Sequence, residues 1–381
     1  MNILFLAHPG SVHDLSWMTS LASRSGIRCF CVARKADKRF LKPGFISQLE
    51  EKQITFCGFI PDFSIVRPWQ TIKGFSLLRN VINKHQIDLF HILYAEPNAL
   101  WVWRKKSLGI PVVITTRGSD ILNTIQNTFK SGSVLNNILK KLYTSAFLKA
   151  DFITCTSLKQ TKIINDLTKR DKGLKIIRTG IDVKAILEAA ENELPGELRG
   201  KKYVFFPRAM RPVYQHEIAL DAVKGLPDNL KKEYVFVFLD ADSTDTDYVS
   251  FIRDKMSRMP DSLIEFFPKL SQEIVFKLYS EASLVVMTPL TDGSPVSALE
   301  AMATGTPVLM PDLDYDNEIF NETTVNFFSN SDSKDLSEKI RQLLLQDAED
   351  VKTKNACEVV GKMADRNSEM EKLVEIYKSI L

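Results

Sequence analysis

The chain has 381 residues, of which 44% are apolar and 25% charged, and this composition excludes a disordered, collagen-like or coiled-coil protein. At roughly 100–200 residues per domain, the length predicts two domains. The net charge of +3 is unevenly distributed: residues 1–180 hold 27 Lys and Arg against 11 Asp and Glu, net +16, and the remainder holds 23 against 36, net −13. A half this basic suits an anionic partner, such as a lipid surface or a phosphorylated substrate.

Apolar runs along the chain are much shorter than the ~20 residues needed to cross a bilayer. The first residues also lack the basic start of a signal peptide. We therefore expect a cytoplasmic protein without a transmembrane helix.

Short β-branched or aromatic runs alternate with amphipathic stretches along the chain, which is typical of parallel α/β sheets. In the first half the predicted strands are 3–7, 27–33, 54–59, 87–94, 111–116, 151–156 and 175–179. Two apolar stripes at helical spacing lie between them, formed by Leu15, Met18, Leu21 and Ala22, and by Leu77, Val81 and Ile82.

Residues 182–201 contain no predicted strand and are expected to form a helix followed by a linker. A second alternating series follows, with strands predicted at 203–207, 234–239, 263–267, 284–289 and 307–310. Its predicted helices are 216–225, 246–257, 271–282 and 295–304, and a last helix is predicted at 366–380.

Two such series in succession predict an α/β protein with two doubly wound, Rossmann-like domains that face one another across a cleft. We place the first domain at 1–195 and the second at 196–365, and expect residues 366–381 to pack back toward the first. Ligands of open parallel sheets bind beyond the carboxyl ends of the strands. The first candidates are therefore the residues after predicted strands: His8 to Ser11, Arg117 to Asp120, Arg208 to Arg211, Asp240 to Asp242, Phe267 to Lys269 and Thr291 to Pro295.

Several common sites are excluded by their motifs. None of the sixteen glycines lies two residues from another, so GxGxxG is absent, and GxxxxGK[ST], HExxH and GxSxG are absent too. The five cysteines form no CxxC pair, which argues against a zinc site or a disulfide framework. No motif supports nucleic-acid binding, and we expect none.

The segment VVMTPLTDGSPVSALEAMATGTPVLMPD, residues 285–312, combines a strand, a turn and a helix that starts near Pro295. Free N–H groups at such a helix start favour a phosphate. Asp292 lies in the turn, and Glu300 lies about two turns into the helix. The two carboxylates can accept hydrogen bonds from separate hydroxyls of one sugar ligand, or they serve only as a helix cap and a solvated surface residue.

The pattern Asp292-x7-Glu300 inside DGSPVSALEAMATGTPV resembles the signature of retaining glycosyltransferases of the GT-B fold, in particular family 4, the glycosyl transferases of group 1. Other segments agree in order: TTRGSDIL (115–122), IIRTGID (176–182), PRAMRPVYQHEIALDAV (207–223) and LSQEIVFKLYSEASLVVMTPL (270–290). The resemblance covers most of residues 87–320. It implies a donor site in the second domain and an acceptor site in the first.

For the donor, the resemblance implies that Glu300 binds the ribose of a nucleotide and that Asp292, where most members have Glu, lies at the donor sugar. Arg208 resembles the family's phosphate-binding arginine. The companion lysine has no clear match, and we assign its role to Arg211 instead of Gln215 because leaving-group charge needs a cation. The other donor-side positions are Gly10, Lys269, Gly293, Ser294, Pro295 and Val296. The last four form the turn and helix start, where every residue except Pro295 offers a backbone N–H group.

In the first domain, Gly10 resembles the glycine loop that lets a ligand approach the backbone. Arg117 stands where the family often has His. A guanidinium cannot act as a general base, but it can hold a sugar hydroxyl or a phosphate. We therefore group Arg117 with Asp292 and Arg208 as catalytic residues. Asp120 either caps the following helix or orients Arg117.

Histidine is the usual acid–base residue, so the histidines near predicted strand ends are candidates. His8 and His13 lie around the loop after the first strand, and we assign them with Asp120 to the acceptor side, with a structural role as the alternative for each. His91 is expected in the core, and His216 is expected to face solvent.

The DxD pairs at 240–242, 245–247 and 312–314 have the spacing by which GT-A transferases hold a divalent metal. A GT-A protein would have one mixed sheet and an early DxD. We therefore expect metal-independent chemistry without a cofactor.

The predicted function is retaining transfer of a sugar from a nucleotide-diphosphate donor, UDP favoured over GDP, to a glycan hydroxyl in bacterial surface-polysaccharide synthesis. Front-face attack lets the leaving phosphate accept the proton, so no enzymic base is required. A sugar-nucleotide epimerase of the same fold and a non-catalytic sugar-nucleotide-binding protein are the alternatives.

Basic residues lie beside apolar ones in the first half, a pattern suited to resting on anionic lipid without spanning it. Because relatives commonly glycosylate lipid-linked oligosaccharides, we expect a polyprenyl-diphosphate-linked acceptor and peripheral contact of residues 1–180 with the inner face of the cell membrane. The alternative is that the apolar stripe is the core face of an ordinary helix. The stripe is formed by Val134, Leu135, Ile138, Leu139 and Leu142, beside Lys130, Lys140, Lys141 and Lys149.

Overall fold

A computed structural model describes residues 1–130, 133–170, 172–189, 191–239, 245–260, 263–292, 295–345 and 351–381. The chain divides into two compact units: unit 1 is Met1–Thr179 with Arg366–Leu381, and unit 2 is Gly180–Asp365. Residues 180–195, which we assigned to the first domain, thus belong to unit 2. Helix α8 (Val183–Ala189) lies in this segment and buries Ile186 and Ala189 in the core of unit 2.

Unit 1 is built on a sheet whose strands are β1 (Asn2–Leu6), β2 (Arg28–Arg34), β3 (Ile54–Ile60), β4 (Leu89–Leu93), β5 (Val112–Thr116), β6 (Phe152–Cys155) and β7 (Leu174–Ile176). They pair in parallel in the order β3-β2-β1-β4-β5-β6-β7. Every residue of β1, β4 and β5 is buried, as expected for parallel strands covered by helices on both faces.

The helices of unit 1 within the described residues are α1 (Val12–Ala22), α2 (Phe45–Glu51), α3 (Pro68–His85), α4 (Ala95–Asn98), α5 (Ile125–Lys130), α6 (Val134–Lys149) and α7 (Leu158–Thr168). The predicted stripes on α1 and α3 are confirmed, because Met18, Leu21 and Ile82 are buried in the core. The C-terminal helix α16 (Arg366–Ile380) also belongs to unit 1 and buries Met370, Leu373 and Tyr377 there.

Unit 2 repeats this design with strands β8 (Lys202–Phe206), β9 (Tyr234–Leu239), β10 (Ile264–Phe267), β11 (Leu284–Val286), β12 (Val308–Pro311) and β13 (Asn326–Phe328). They are parallel in the order β10-β9-β8-β11-β12-β13. The fold prediction of two Rossmann-like domains is confirmed. β13 was not predicted.

The remaining helices of unit 2 are α9 (His216–Gly225), α10 (Asp228–Glu233), α11 (Thr246–Ser257), α12 (Gln272–Glu281), α13 (Val296–Ala303), α14 (Ser333–Leu345) and α15 (Val351–Met363). The four helices predicted in this series correspond to α9, α11, α12 and α13, with ends shifted by at most one residue.

The strand order of each sheet reverses beside its first strand, between β1 and β4 in unit 1 and between β8 and β11 in unit 2. Connections leave such a point in opposite directions and open a crevice at the carboxyl edge. In unit 2 the crevice receives Arg208, two residues after β8, and Asp292, which follows β11.

No helix among the described residues is long and apolar enough to cross a membrane.

Candidate active site

An ion pair occupies the strand-order reversal of unit 2. Arg208 Nη2 lies 2.8 Å from Asp292 Oδ2, and the two side chains are 16% and 15% exposed. Their partial burial strengthens a charge-assisted hydrogen bond relative to one in open solvent. The structure thus pairs two residues that the resemblance assigned to different parts of the donor, Arg208 to its phosphate and Asp292 to its sugar.

Three further contacts fix the Arg208 guanidinium. Nη2 donates to the Tyr214 hydroxyl at 2.7 Å, the Tyr214 ring lies 4.1 Å from Cζ, and Nη1 donates to Ser297 Oγ at 3.2 Å. Tyr214 is itself held, since its carbonyl accepts a hydrogen bond from Thr288 Oγ1 at 2.6 Å. Arg208 is therefore a preorganised cation at the carboxyl edge of the sheet.

The polar contacts continue from Arg208 to Glu300 through two hydroxyl groups. The buried Tyr279 side chain of α12 lies close to Ser297 and Glu300, and both influence the pKa of its hydroxyl. Burial raises the pKa of Tyr279 well above its usual range, and the neighbouring Glu300 carboxylate adds to that effect. Ser297 and Glu300 lie three residues apart on one face of α13. These neighbouring polar side chains, Asp292, Arg208, Ser297, Tyr279 and Glu300, are called the carboxylate network.

A cavity of about 380 Å³ adjoins one end of this network. Glu300 and Lys269 line the same cavity, although they lie far apart in sequence. Leu239 at the end of β9 and Val275 and Phe276 of α12 provide apolar walls. A pocket with apolar walls and a few convergent polar groups is typical of a small-molecule site.

The other donor-side positions differ in how they are placed. Arg211 is exposed, and its guanidinium makes no ion pair or hydrogen bond with the described part of the chain. Pro295 is buried and precedes the first residue of α13, Val296. Gly293 and Ser294 lie outside the described residues, as do Asp240 and Asp242.

In unit 1, the loop after β1 is fastened by its own side chains. The backbone N–H of Gly10 donates to His8 Nδ1 at 3.1 Å, and the N–H of His8 donates to Asp14 Oδ2 at 2.9 Å. A Cβ at Gly10 would lie 3.1 Å from His8 Cε1, so the tight approach favours glycine. His8 therefore supports the loop, and its contact with an acceptor stays a prediction. His13 is exposed in the first turn of α1.

Arg117 lies deeper than its catalytic assignment implies. Its side chain is 8% exposed, Nη2 lies 3.4 Å from Asp14 Oδ1, and Cζ lies 4.0 Å from the centre of the Trp17 ring. Nε and Nη1 are buried without a partner among the described residues. Burial lowers the pKa of Arg117, and the nearby carboxylates of Asp14 and Asp120 oppose that shift. Contact of Arg117 with a substrate stays a prediction.

Asp120 acts on the backbone of this loop. Its fully buried carboxylate accepts hydrogen bonds from the N–H groups of Ala95, Arg117, Gly118 and Ile121, at 2.7–3.1 Å. Burial raises the pKa of Asp120, and these four donors oppose the rise. Asp120 thus fixes the main chain that carries Arg117, while Asp14 pairs with the guanidinium.

Two histidines have clear structural positions. His91 is buried and bonds Tyr377 and Thr115, which confirms its expected core position. The prediction that His216 faces solvent is wrong, because the side chain is buried at the start of α9 and Nε2 hydrogen-bonds the Arg208 carbonyl at 3.0 Å. Burial lowers the pKa of His216 to about 4.

Sequence reasoning missed several side chains that organise these sites: Asp14, Trp17, Tyr214, Tyr279 and Ser297. Only Asp14 carried a recognisable local signal, since Ser11 and Asp14 match the capping-box spacing. In the structure, Ser11 Oγ accepts the N–H of Asp14 at 3.4 Å. The others meet only through tertiary packing.

No cluster of three or more His, Cys, Asp or Glu side chains placed to hold a metal ion occurs among the described residues.

Two family models match the chain. The model described as glycosyl transferases group 1 matches residues 190–359, and the model described as glycosyl transferase 4-like matches residues 2–157. No curated protein matches the chain.

Solved structures of similar fold span essentially the whole chain. A glycosyltransferase from Rickettsia africae ESF-5 covers 100% of this chain and 98% of its own, with a TM-score of 0.79 at 16% identity. HepE of Anabaena in complex with UDP covers 99% of each chain, with a TM-score of 0.75 at 15% identity. Sucrose-phosphate synthase from Thermosynechococcus elongatus covers 99% of this chain and 98% of its own, with a TM-score of 0.69 at 15% identity.

Both halves of the chain thus match glycosyltransferase family models, and the chain has the fold of the solved glycosyltransferases. The protein is a glycosyltransferase. It belongs to the glycosyl transferases of group 1, with an amino-terminal half of the glycosyl transferase 4-like type, as its sequence motifs predicted.

Proposed function

We propose that the protein transfers a sugar, with retention, from a nucleotide-diphosphate donor to a hydroxyl of a lipid-linked glycan at the inner face of a bacterial cell membrane, in surface-polysaccharide synthesis. The carboxylate network of unit 2 carries this proposal. It presents one fixed cation and two carboxylates along the edge where a sheet of this type binds ligands.

Arg208 is the group that stabilises the leaving diphosphate in this proposal. Negative charge grows on the diphosphate as the glycosidic bond breaks, and a fixed guanidinium lowers the energy of that state without reorganising. The Asp292 carboxylate pairs with this guanidinium at 2.8 Å. Asp292 then lies beside the donor sugar, next to the atoms that react.

Glu300 accepts hydrogen bonds from the ribose hydroxyls in this proposal. Its carboxylate lines the cavity that Lys269 shares, and Tyr279 holds it from the buried side. Lys269 is suited to contact the nucleotide at the rim of that cavity.

Unit 1 supplies the acceptor side. Front-face attack passes the acceptor proton to the leaving phosphate, so the reaction needs no enzymic base. This suits the position of Arg117, whose enclosed guanidinium leaves His8, His13 and the loop held by Asp120 to meet an acceptor hydroxyl.

Two observations support the choice of donor and acceptor class. HepE of Anabaena has been crystallised with UDP and with UDP-glucose, which favours a UDP-sugar as the donor. Residues 1–180 carry a net charge of +16, which favours an acceptor anchored by a polyprenyl diphosphate at an anionic membrane.

The first test combines nucleotide binding with turnover. UDP should raise the unfolding temperature more than GDP or ADP at equal concentration, because a ligand stabilises the folded state by RT ln(1 + [L]/Kd). Release of UDP from UDP-glucose should require a polyprenyl-diphosphate-linked glycan and should continue in EDTA. Conversion of UDP-glucose without UDP release would instead indicate an epimerase, and a Mg²⁺-reversible loss in EDTA would indicate a metal site.

Glu300→Ala should abolish UDP binding, and Glu300→Gln should weaken it less, because the amide keeps one acceptor oxygen for the ribose but loses the charge. Calorimetry with UDP measures both. The matched control is Glu281→Gln at the end of α12, which makes the same charge change outside the cavity. Parental affinity in both Glu300 variants would rule out a ribose contact.

A further inference from the structure

Two of the four tryptophans lie on the surface of unit 1. Trp69 and Trp103 are 64% and 42% exposed, whereas Trp17 and Trp101 are fully buried. An indole side chain that is exposed to water gives up the free energy gained by burying its apolar surface. Exposed tryptophans are enriched where a protein contacts a partner or a membrane interface. These two side chains are not used by the proposed chemistry.

Both tryptophans belong to one surface. The Trp103 ring lies 6.4 Å from the ring of Phe63. The loop that begins at Phe63 is fastened to the first turns of α3, because Thr71 Oγ1 accepts the N–H of Ser64 at 3.0 Å and donates to its carbonyl at 2.9 Å. Trp69 lies in the same turns of α3. Val66 and Ile72, 77% and 59% exposed, extend the apolar area around it.

Helix α6 continues this surface. Lys149 Nζ donates to the Trp103 carbonyl at 3.0 Å, which joins the end of α6 to the Trp103 segment, and Leu148 beside it is exposed. The apolar stripe predicted on α6 is divided between two faces. Leu139 and Leu142 pack on the core, whereas Val134, Leu135 and Ile138 are exposed.

The charge of this surface has one sign. Residues 63–79 contain no Asp or Glu, and residues 97–149 contain only Asp120, which is fully buried. Exposed Arg67 and Lys73 lie two and four residues from Trp69 in the chain. At Trp103, Arg104 Cζ lies 5.9 Å from the ring, and Lys149, also exposed, bonds the Trp103 carbonyl. Apolar side chains ringed by cations are complementary to an anionic bilayer, where lysine and arginine meet headgroups and indoles enter the interface.

We propose that the surface formed by Val66, Trp69, Ile72, Trp103 and Leu148 with Arg67, Lys73, Arg104 and Lys149, called the tryptophan face, docks unit 1 on an anionic lipid bilayer. This inference deepens the proposed function by assigning the lipid contact to particular residues. A second copy of the chain fits less well, because a symmetric contact would bring two acid-free cationic faces together.

Intrinsic fluorescence tests the docking without donor, acceptor or turnover. Vesicles of phosphatidylglycerol and phosphatidylcholine in equal parts should shift the tryptophan emission to shorter wavelength, and bromine-labelled acyl chains should quench it. Vesicles of phosphatidylcholine alone should do neither. Raising the salt from 0.1 to 1 M shortens the Debye length from ~10 to ~3 Å and should release the protein.

Substitutions assign the signal to the tryptophan face. In Trp69→Phe/Trp103→Phe the emission shift should disappear, since Trp17 and Trp101 are buried, while co-sedimentation with anionic vesicles persists. In Trp69→Ser/Trp103→Ser the sedimentation should weaken as well. Arg67→Gln and Lys73→Gln should each weaken binding about fivefold, as expected for one cation near an anionic surface. The control Leu187→Ser, which removes an exposed apolar side chain from unit 2, should bind like the parent.

Three results would overturn the inference: an unchanged emission spectrum with anionic vesicles at low salt, equal binding of the Trp69→Ser/Trp103→Ser variant and the parent, or equal binding to neutral vesicles. A dimer in sedimentation that these substitutions convert to a monomer, with vesicle binding unchanged, would assign the face to a second copy. Vesicle binding by a protein that fails to release UDP would leave the docking intact and contradict only the proposed function.

Discussion

Arg208→Ala should lower kcat about a hundredfold or more and raise KM for the nucleotide sugar much less. The guanidinium faces charge that grows as the diphosphate leaves, and removing one such preorganised donor typically costs about 3 kcal/mol of transition-state stabilisation. The three side-chain partners of Arg208, namely Asp292, Tyr214 and Ser297, hold it in place before any ligand arrives. Steady-state kinetics with a UDP-sugar and acceptor measure the effect.

Two companion variants separate charge from geometry. Arg208→Lys keeps the charge but cannot reach three partners at once, so it should recover only part of the lost rate. Arg211→Ala provides a comparison within the same site, since it removes an equal charge from an exposed side chain three residues away. It should have the smaller effect even if Arg211 assists the leaving group as the sequence predicted.

Removing Arg208 also leaves the Asp292 carboxylate, 15% exposed, without its cation. Arg208→Ala/Asp292→Asn removes that unpaired charge and should regain stability without regaining rate. A kcat for Arg208→Ala close to that of the parent, in a variant that folds and binds UDP normally, would exclude Arg208 from leaving-group stabilisation.

The sequence predicted most strands because buried parallel strands are short, nearly continuous apolar runs. YVFVFL was predicted as 234–239 and forms β9 over Tyr234–Leu239, with every residue buried. The missed strand, β13, has three residues and pairs with β12 alone at the edge of the sheet. Its sequence NFF is only three residues long and carries too little periodicity to be read as a strand.

His216 shows where local pattern fails. The residue was expected to be a solvent-facing helix residue. Instead, it is the first residue of α9, and its ring packs 6.3 Å from that of Phe238 and 6.2 Å from that of Tyr248. Which side of a helix start is buried depends on the strand beneath it, and no spacing in the sequence contains that information.

Three residues of the carboxylate network could be predicted from the sequence, because Arg208, Asp292 and Glu300 follow strands or occupy a recognised motif. Ser297 and Tyr279, which lie between them, belong to no motif and follow no strand. Their roles depend on how α12 and α13 pack together. Asp14 has a local signal in its capping-box spacing, but its contact with Arg117 forms only when β1 and β5 are placed in one sheet.

Deletion of residues 366–381 should unfold unit 1. Helix α16 buries Met370, Leu373, Ile376 and Tyr377 against the core beneath β1 and β4. Truncating one such side chain costs about 2–5 kcal/mol, and losing four together exceeds what a domain with about 5–15 kcal/mol of stability can tolerate. The last residues of the chain are thus part of the first sheet's core, although they follow the whole of unit 2.

Tyr377→Phe isolates the polar part of this contact. Tyr377 hydrogen-bonds His91 Nδ1 at 2.5 Å, and His91 Nε2 bonds Thr115 Oγ1 at 2.7 Å, all in buried surroundings. The variant leaves His91 Nδ1 unpaired and should lower the free energy of unfolding by about 1–3 kcal/mol. Leu373→Ala should cost about 2–5 kcal/mol, while Glu375→Ala, on the exposed side of the same helix, should cost little.

Burial, with a contribution from Arg117, lowers the pKa of His91 well below 6.5. As the pH falls below 6.5, the unfolded chain takes up the proton first, so the stability of unit 1 should decline from that pH downward.

Hydrogen exchange shows which strands the Tyr377 hydrogen bond stabilises. Tyr377→Phe should accelerate exchange in β1 and β4 and leave exchange in β8 and β9 unchanged. Equal protection of β4 in the variant and the parent at neutral pH would show that the Tyr377 hydroxyl does not stabilise this core.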